Sequence, residues 1–263
     1  MLETDLKTEI HPTAIVHPDA ILEPGVRVGA FCVIEDNVRV GAGTTLEVGA
    51  QIKRFTMLGR ENRIGSYAIL GGEPMDLKFK GEVSALEIGD RNTIREFSTI
   101  HRGTAAAGAT RVGNDNFIMA YVHITHDCQV GNSCIIPNAM QMAGHVVVED
   151  FVTFGATVGI HQFCRIGTHS MVGMNSKVTK DILPFSLADG HPAAHFYINK
   201  VGLERRGFSA SERDALGRAF RALRAGKGEA ALEEIAAQSA HVGRLLEFMR
   251  TPSARGISDF ARK

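Results

Sequence analysis

The chain has 263 residues, enough to bury one large core and a smaller one. Lysine plus arginine and aspartate plus glutamate each total 29, so the formal charge is zero and the composition gives no support for a nucleic-acid or anionic-membrane binder. Met1 to Glu9 holds Glu3, Asp5, Lys7 and Glu9 without an apolar stretch, no later segment reads as a membrane span, and Cys32, Cys128, Cys134 and Cys164 form no CxxC pair. These features predict a cytoplasmic protein with no signal peptide, no disulfide framework and no stable membrane insertion.

In chain order, the first feature is a six-residue repeat. Stepping by six from Ile10 to Val178 meets a large apolar residue everywhere except at Asp76, Glu82 and Ala106. A period of six is neither helical nor a two-residue alternation, and it fits a short strand followed by a corner. Three such sides close a triangular coil of eighteen residues, with coils stacked at about 4.8 Å. Glycine often follows the aliphatic, as at Gly29, Gly41, Gly59 and Gly65, consistent with tight geometry near each corner. The position four after the aliphatic is mostly small, and all four cysteines share it, which predicts buried fillers rather than reactive thiols. The three exceptions fall in two stretches, near 71–85 and 103–111, that read as loops extruded from corners while the phase is kept.

Past Pro184 the repeat stops and helical patterns follow. Ser209 with Glu212 forms a capping box that opens a helix to about Ala225, with Gly226 as its stop. Glu229–Ser239 and His241–Arg250 read as two further helices, closed off by Pro252. The predicted organisation is a β-helix domain over 1–184 and a C-terminal helical domain over 185–263.

Among the eleven histidines, the eighteen-residue coil brings His123, His126, His145 and His161 to one corner, and places His101 and His169 away from it. Such a ridge suits two chemistries. One is metal binding, as in hexapeptide-repeat carbonic anhydrases, for which no matching acidic and histidine pattern is present. The other is general base catalysis by one imidazole on an acceptor hydroxyl. Asp127 could orient His126 if the corner turns the two neighbours toward each other, because adjacent side chains in a regular strand point apart.

The [LIV]-G-x-x-x-x hexads resemble the left-handed parallel β-helix acyltransferases, and the left hand is implied by that resemblance. The segments Asp76–Glu82, Thr99–Thr104, His123–Cys128, Ala143–His145, His161–Cys164 and Arg205–Ser209 together resemble the acyl-carrier-protein-dependent UDP-N-acetylglucosamine O-acyltransferase family, which opens lipid A synthesis in Gram-negative bacteria. The resemblance covers almost the whole chain. It implies that His126 is the general base for the sugar 3-hydroxyl, supported by Asp127, and that Gly144 gives a backbone N–H to the oxyanion. His123, His145, His161 and Gln162 would shape the sugar and acyl pocket. Asp76 and Lys78 would contact the sugar nucleotide, and Asn199, Arg205 and Arg206 its nucleotide end. It further implies an acylated acyl carrier protein as donor, a UDP-sugar as acceptor, a homotrimer with sites between neighbouring prisms, and no metal or cofactor.

Basic residues Arg213, Arg218, Arg221, Arg224 and Lys227 cluster on and just after the helix opened by Ser209, a surface suited to an acidic carrier protein or simply to solvent. Three positions depart from the family pattern. Met174 stands where a second glycine is usual at the floor of the acyl groove, which predicts a shorter acyl preference. Met75 replaces a usual Gln and Val201 a usual Glu near the sugar-nucleotide site, which leaves open a 3-amino acceptor with an amide product.

Overall fold

The structure is a computed structural model, and residues 7–261 are described. Most hexads form a strand of two residues followed by a corner. The first strand residue faces out and the second faces in, as in Arg27–Val28 and Arg63–Ile64, where only the aliphatic is buried. Strands of successive coils pair in parallel, Ile10 on Val28 and Ile118 on Ile136, so every inward aliphatic sits on another. The result is a prism of three sheets with eleven, nine and eight strands, parallel except for the last strand of the first, a left-handed parallel β-helix.

One backbone feature makes the corners. The residue three after the aliphatic takes a left-handed backbone, and it is seldom glycine: Phe31 has φ 58°, Asn37 55°, Phe97 60° and Asp127 63°. The glycine that follows the aliphatic serves a different purpose from the corner bend expected of it. At Gly29 the backbone angle is ordinary, but a Cβ would lie 2.9 Å from the Leu46 carbonyl oxygen of the next coil, so the coils stack this closely only without a side chain there. Cys32, Cys128, Cys134 and Cys164 are buried fillers, and burial pushes the Cys128 thiol up to about 12, which removes it as a nucleophile.

Both extruded loops are present, and they change the coil count. Ile64 pairs with Ile94 thirty residues on, and Ile94 with Ile118 twenty-four on, against eighteen elsewhere. A buried amide ladder carries the register across both. The Asn92 amide donates to Asn62 Oδ1 at 3.0 Å, and the Asn116 amide donates to Asn92 Oδ1 at 3.0 Å. Buried partners in both directions explain why polar residues are tolerated inside an aliphatic prism.

The first sheet runs on past residue 184. Ser186–Gly190 pairs with Met171–Val172, and Ala193–Ile198 returns antiparallel to it. Four helices follow, α1 (Lys200–Arg205), α2 (Ala210–Arg224), α3 (Gly228–Ala236) and α4 (Ala240–Arg250). The capping box of α2 forms as read, Ser209 and Glu212 each accepting from the other's backbone. The short α1 lay unread in the sequence; Asn199 caps it by accepting from the Gly202 N–H. A second core, including Leu183, Phe185, Leu203, Phe220 and Leu246, joins the helices to the end of the prism. No helix among the described residues is long and apolar enough to cross a membrane.

Candidate active site

The left-handed turn at Asp127 folds its side chain back onto its neighbour. His126 Nδ1 donates to Asp127 Oδ2 at 2.8 Å, so two adjacent residues that a strand would hold apart form a pair. A carboxylate only accepts, so Nδ1 carries a proton, and in the neutral ring His126 Nε2 is the nitrogen with the free lone pair. The Asp127 side chain is fully buried and that of His126 nearly so. Burial alone would push the Asp127 carboxyl up. Donation from the Thr104 N–H, from His126 and from the Thr104 hydroxyl outweighs it, together with the nearby His145, and holds the carboxyl below the usual range.

The other histidines surround this pair. His145 Nε2 lies 3.5 Å from Asp127 Oδ2, and the His145 ring meets His126 edge-on and stacks flat on Phe163 at 4.6 Å. Gly144 lies under His126, where a Cβ would stand 2.7 Å from Cε1. Its N–H donates to no acceptor among the described residues. At the matching corner position of another coil, the Thr168 N–H is taken by Glu149 at 2.8 Å; the residue placed to cap Gly144 is Thr125, whose hydroxyl donates instead to the Met142 carbonyl.

A groove of about 410 Å³ runs along the second sheet beside this corner, lined by His123, Gln141, Gly159, Ile160, His161 and Lys177 among others. His123 accepts or donates at Nδ1 to the Thr99 hydroxyl at 2.7 Å, and burial, then the neighbouring His101, pushes its pKa down. His161 and Gln162 are exposed at the rim, the ring nitrogen of His161 approaching the Gln162 carbonyl at 3.3 Å.

His101 is a correction. Counting by eighteen put it away from the ridge, but that count ran across the six-residue loop. The true register pairs Ile100 with Ile124, and the His101 and His123 rings meet edge-on at 5.1 Å. His169 does lie elsewhere, against Phe151 and Phe208 at another corner.

The remaining candidates make no hydrogen bond, ion pair or ring contact with His126 among the described residues. Asp76 accepts from the Lys78 N–H at 2.9 Å on the first loop, where Lys78 is exposed. That loop leans on the second through Phe79, 5.3 Å from the Arg102 guanidinium. Asn199 donates to the His169 carbonyl at 3.0 Å, and Arg206 lies over Phe151 at 4.9 Å, both at the corner of His169. Arg205 is exposed at the end of α1. Met174 is 63% exposed at the corner before Lys177–Val178, across the second sheet from His126. Sequence reading missed Thr104, whose only signal was its place in the quoted Thr99–Thr104 segment.

His126, Asp127 and His145 offer three ligand atoms within 4.8 Å of one another, the cluster a metal would need. Their geometry is that of a satisfied hydrogen-bonded set instead: Asp127 Oδ1 and Oδ2 each accept from Thr104 at 2.8 Å, and Oδ2 also accepts from His126.

A prism of hexapeptide coils, with a carboxylate-supported imidazole beside an apolar groove, defines a hexapeptide-repeat acyltransferase. Comparison with known proteins narrows the class. Residues 13–47 and 109–139 match the bacterial transferase hexapeptide family profile, and residues 181–258 match the second domain of UDP N-acetylglucosamine O-acyltransferase. The acyl-[acyl-carrier-protein]–UDP-N-acetylglucosamine O-acyltransferase of Burkholderia orbicola is 53% identical over 262 residues, covering 95% of this chain and 99% of its own. That of Thiobacillus denitrificans is 52% identical, covering 94% and 98%. The solved UDP-N-acetylglucosamine acyltransferase of Francisella novicida superposes with a TM-score of 0.92 at 36% identity, covering 95% and 94%, and that of Campylobacter jejuni with 0.90 at 37%, covering 96% and 100%. The chain belongs to the acyl-[acyl-carrier-protein]–UDP-N-acetylglucosamine O-acyltransferase family. These relatives carry the O-acyltransferase name, which does not favour the amine-acceptor or carbonic anhydrase readings.

Proposed function

We propose that the chain transfers a 3-hydroxyacyl group from acyl carrier protein to the 3-hydroxyl of UDP-N-acetylglucosamine, the first step of lipid A biosynthesis, with His126 as general base. The observation that carries the roles is the 2.8 Å bond from His126 to a buried Asp127, which leaves Nε2 free above Gly144. Nε2 takes the proton of the sugar hydroxyl as its oxygen attacks the thioester carbonyl. Asp127 steadies the imidazolium that forms, without itself taking the proton. The oxyanion accepts from the Gly144 N–H, and on collapse His126 returns the proton to the departing carrier thiolate. His123, His145, His161 and Gln162 shape the pocket for sugar and acyl chain, and Met174 closes the far end of the groove.

Asp76 and Lys78 contact the sugar nucleotide, while Asn199, Arg205 and Arg206 hold its nucleotide end from a neighbouring subunit. Support for a homotrimer comes from two observations. Asn199 and Arg206 sit at the corner of His169, away from their own His126, and an exposed aromatic column, Tyr67 on Phe97 at 5.6 Å and Phe97 on Tyr121 at 5.1 Å, borders the second sheet. The same reading divides the chain into a prism over 1–184 and a C-terminal domain over 185–263, supported by the second core that begins around Leu183 and Phe185. It places the enzyme in the cytoplasm with its carrier protein.

The test is transfer from 3-hydroxyacyl carrier protein to UDP-N-acetylglucosamine, followed by mass spectrometry of the product. Wild type forms the 3-O-acyl sugar nucleotide and His126→Ala loses at least a hundredfold in kcat. Full activity in His126→Ala removes the mechanism.

A further inference from the structure

The second extruded loop, 103–108, lies outside the groove, yet it makes the best-formed contacts with the catalytic pair. The Thr104 N–H donates to Asp127 Oδ1 at 2.8 Å, and the Thr104 hydroxyl donates to Oδ2 at 2.8 Å. That hydroxyl also accepts from the Ala106 N–H at 3.2 Å, so its own proton is committed to the carboxylate. Asp127 is gripped on its backbone as well, its N–H donating to the Thr110 hydroxyl at 2.8 Å from the other end of the loop. Thr104 is 6% exposed, so these bonds form away from water, where hydrogen bonds to a charge are strongest.

The loop is built to hold this posture. Its ends pinch together: a Cβ on Gly103 would lie 2.6 Å from Ala109 Cα. Gly103 N–H donates to the Ala85 carbonyl and Arg102 N–H to the Gly72 carbonyl, both at 3.0 Å. Arg102 is 3% exposed and sits between the Phe55 and Phe79 rings, pinning both extruded loops to the prism. A corner with no loop would leave Asp127 with the His126 bond and the longer His145 contact alone.

We propose that Thr104 is a positioning residue for the transfer reaction: its two donors fix both oxygens of Asp127, so that Oδ2 faces His126 Nδ1 and the imidazole keeps the tautomer a general base needs. The insertion between the strands Thr99–His101 and Ala109–Val112 thereby becomes part of the catalytic apparatus without touching substrate. This rests on His126 acting as the base.

Thr104→Val removes the hydroxyl and keeps the N–H and the branched shape. Its kcat falls at least tenfold with KM for both substrates within twofold, and Thr104→Ser restores most of the rate. The acid limb of the pH–rate profile moves to higher pH, because Asp127 loses a donor that favours its ionised form. In a His126→Ala background the same substitution costs nothing further. If Thr104→Val does not fold, Thr104→Ala is set against Thr104→Ser in its place. A Thr104 variant without the hydroxyl that keeps wild-type kcat and acid limb overturns the proposal, as does an undiminished loss in the His126→Ala background. Full activity of His126→Ala alone would instead remove the underlying mechanism, so the two failures are distinguishable.

Discussion

Gly144→Ala is the most direct probe of the His126 pair. The backbone of Gly144 is outside the left-handed region, so alanine meets no strain there, and the N–H proposed to meet the oxyanion is retained. What changes is contact. The new Cβ would lie 2.7 Å from His126 Cε1, 3.0 Å from Nε2 and 3.2 Å from Nδ1, against an ordinary carbon–carbon separation of about 3.5–4.0 Å. The ring must retreat by about 1 Å to restore such a separation. The Nδ1 bond to Asp127 starts at 2.8 Å, so that retreat carries it to or beyond the distance at which it ceases to be a hydrogen bond. Hydrogen bonds to a charged group contribute about 1.5–3 kcal/mol. At about 1.4 kcal/mol per decade, kcat falls roughly 10- to 150-fold. The assay is steady-state transfer from 3-hydroxyacyl carrier protein to UDP-N-acetylglucosamine, with thermal melting to confirm the fold. In a His126→Ala background Gly144→Ala has no ring to displace and costs nothing more. A kcat within twofold of wild type, or the same loss without the imidazole, refutes the reasoning.

Three further outcomes follow from the geometry. His195 is fully buried, Nδ1 donating to the Ser258 carbonyl and Nε2 accepting from the Leu183 N–H, and burial pushes its pKa down to about 4. The unfolded chain therefore binds the extra proton between about 6.5 and 4, so this contribution is full above about 6.5 and is lost as pH falls toward 4, by about 3 kcal/mol. Urea unfolding at stepped pH shows that slope, and a slope undiminished in His195→Phe contradicts it. If Met174 closes the far end of the groove as proposed, Met174→Gly shifts preference among carrier-linked 3-hydroxyacyl donors toward longer chains; no shift removes the assignment. Arg218 and Arg221 are exposed on α2, Arg218 beside Asp214 at 3.2 Å and Arg221 donating to the Tyr197 hydroxyl at 2.8 Å. Reversing both charges raises KM for the carrier-linked donor severalfold and weakens its salt dependence, and an unchanged KM discards docking there.

The fold was legible because the hexad writes its core in one phase: an inward aliphatic every sixth residue needs no long-range information to be found. The site was legible only in part. His123, His126, His145 and His161 all follow both loops, so counting by eighteen placed them correctly together. His101 precedes the second loop, and inserting six residues keeps the hexad phase while moving the chain on by one side of the triangle, which the apolar pattern cannot register. The pairing of His126 with Asp127 was equally hidden, because it depends on a left-handed angle at an aspartate rather than at a glycine. Thr104 was hidden for a third reason. Its partner lies twenty-three residues away across a loop, and a lone threonine carries no spacing signal.

The corner itself is nearly generic. Phe97, Tyr121, Ser133 and Ala139 take the same left-handed angle as Asp127, and none of those corners pairs an imidazole with a carboxylate. Three local departures turn this one into a candidate site. The left-handed residue is an acid whose neighbour is a histidine. The next coil offers Gly144, with neither a Cβ to obstruct the ring nor a side chain capping its N–H. The same corner of the preceding coil is extruded as a loop that lowers Thr104 onto the acid. Each departure is separable by a single substitution, and each acts on the same 2.8 Å contact. Substitutions at Gly144, Asp127 and Thr104 should therefore combine less than additively in kcat, whereas Met174, on the far side of the sheet, should add to them in full.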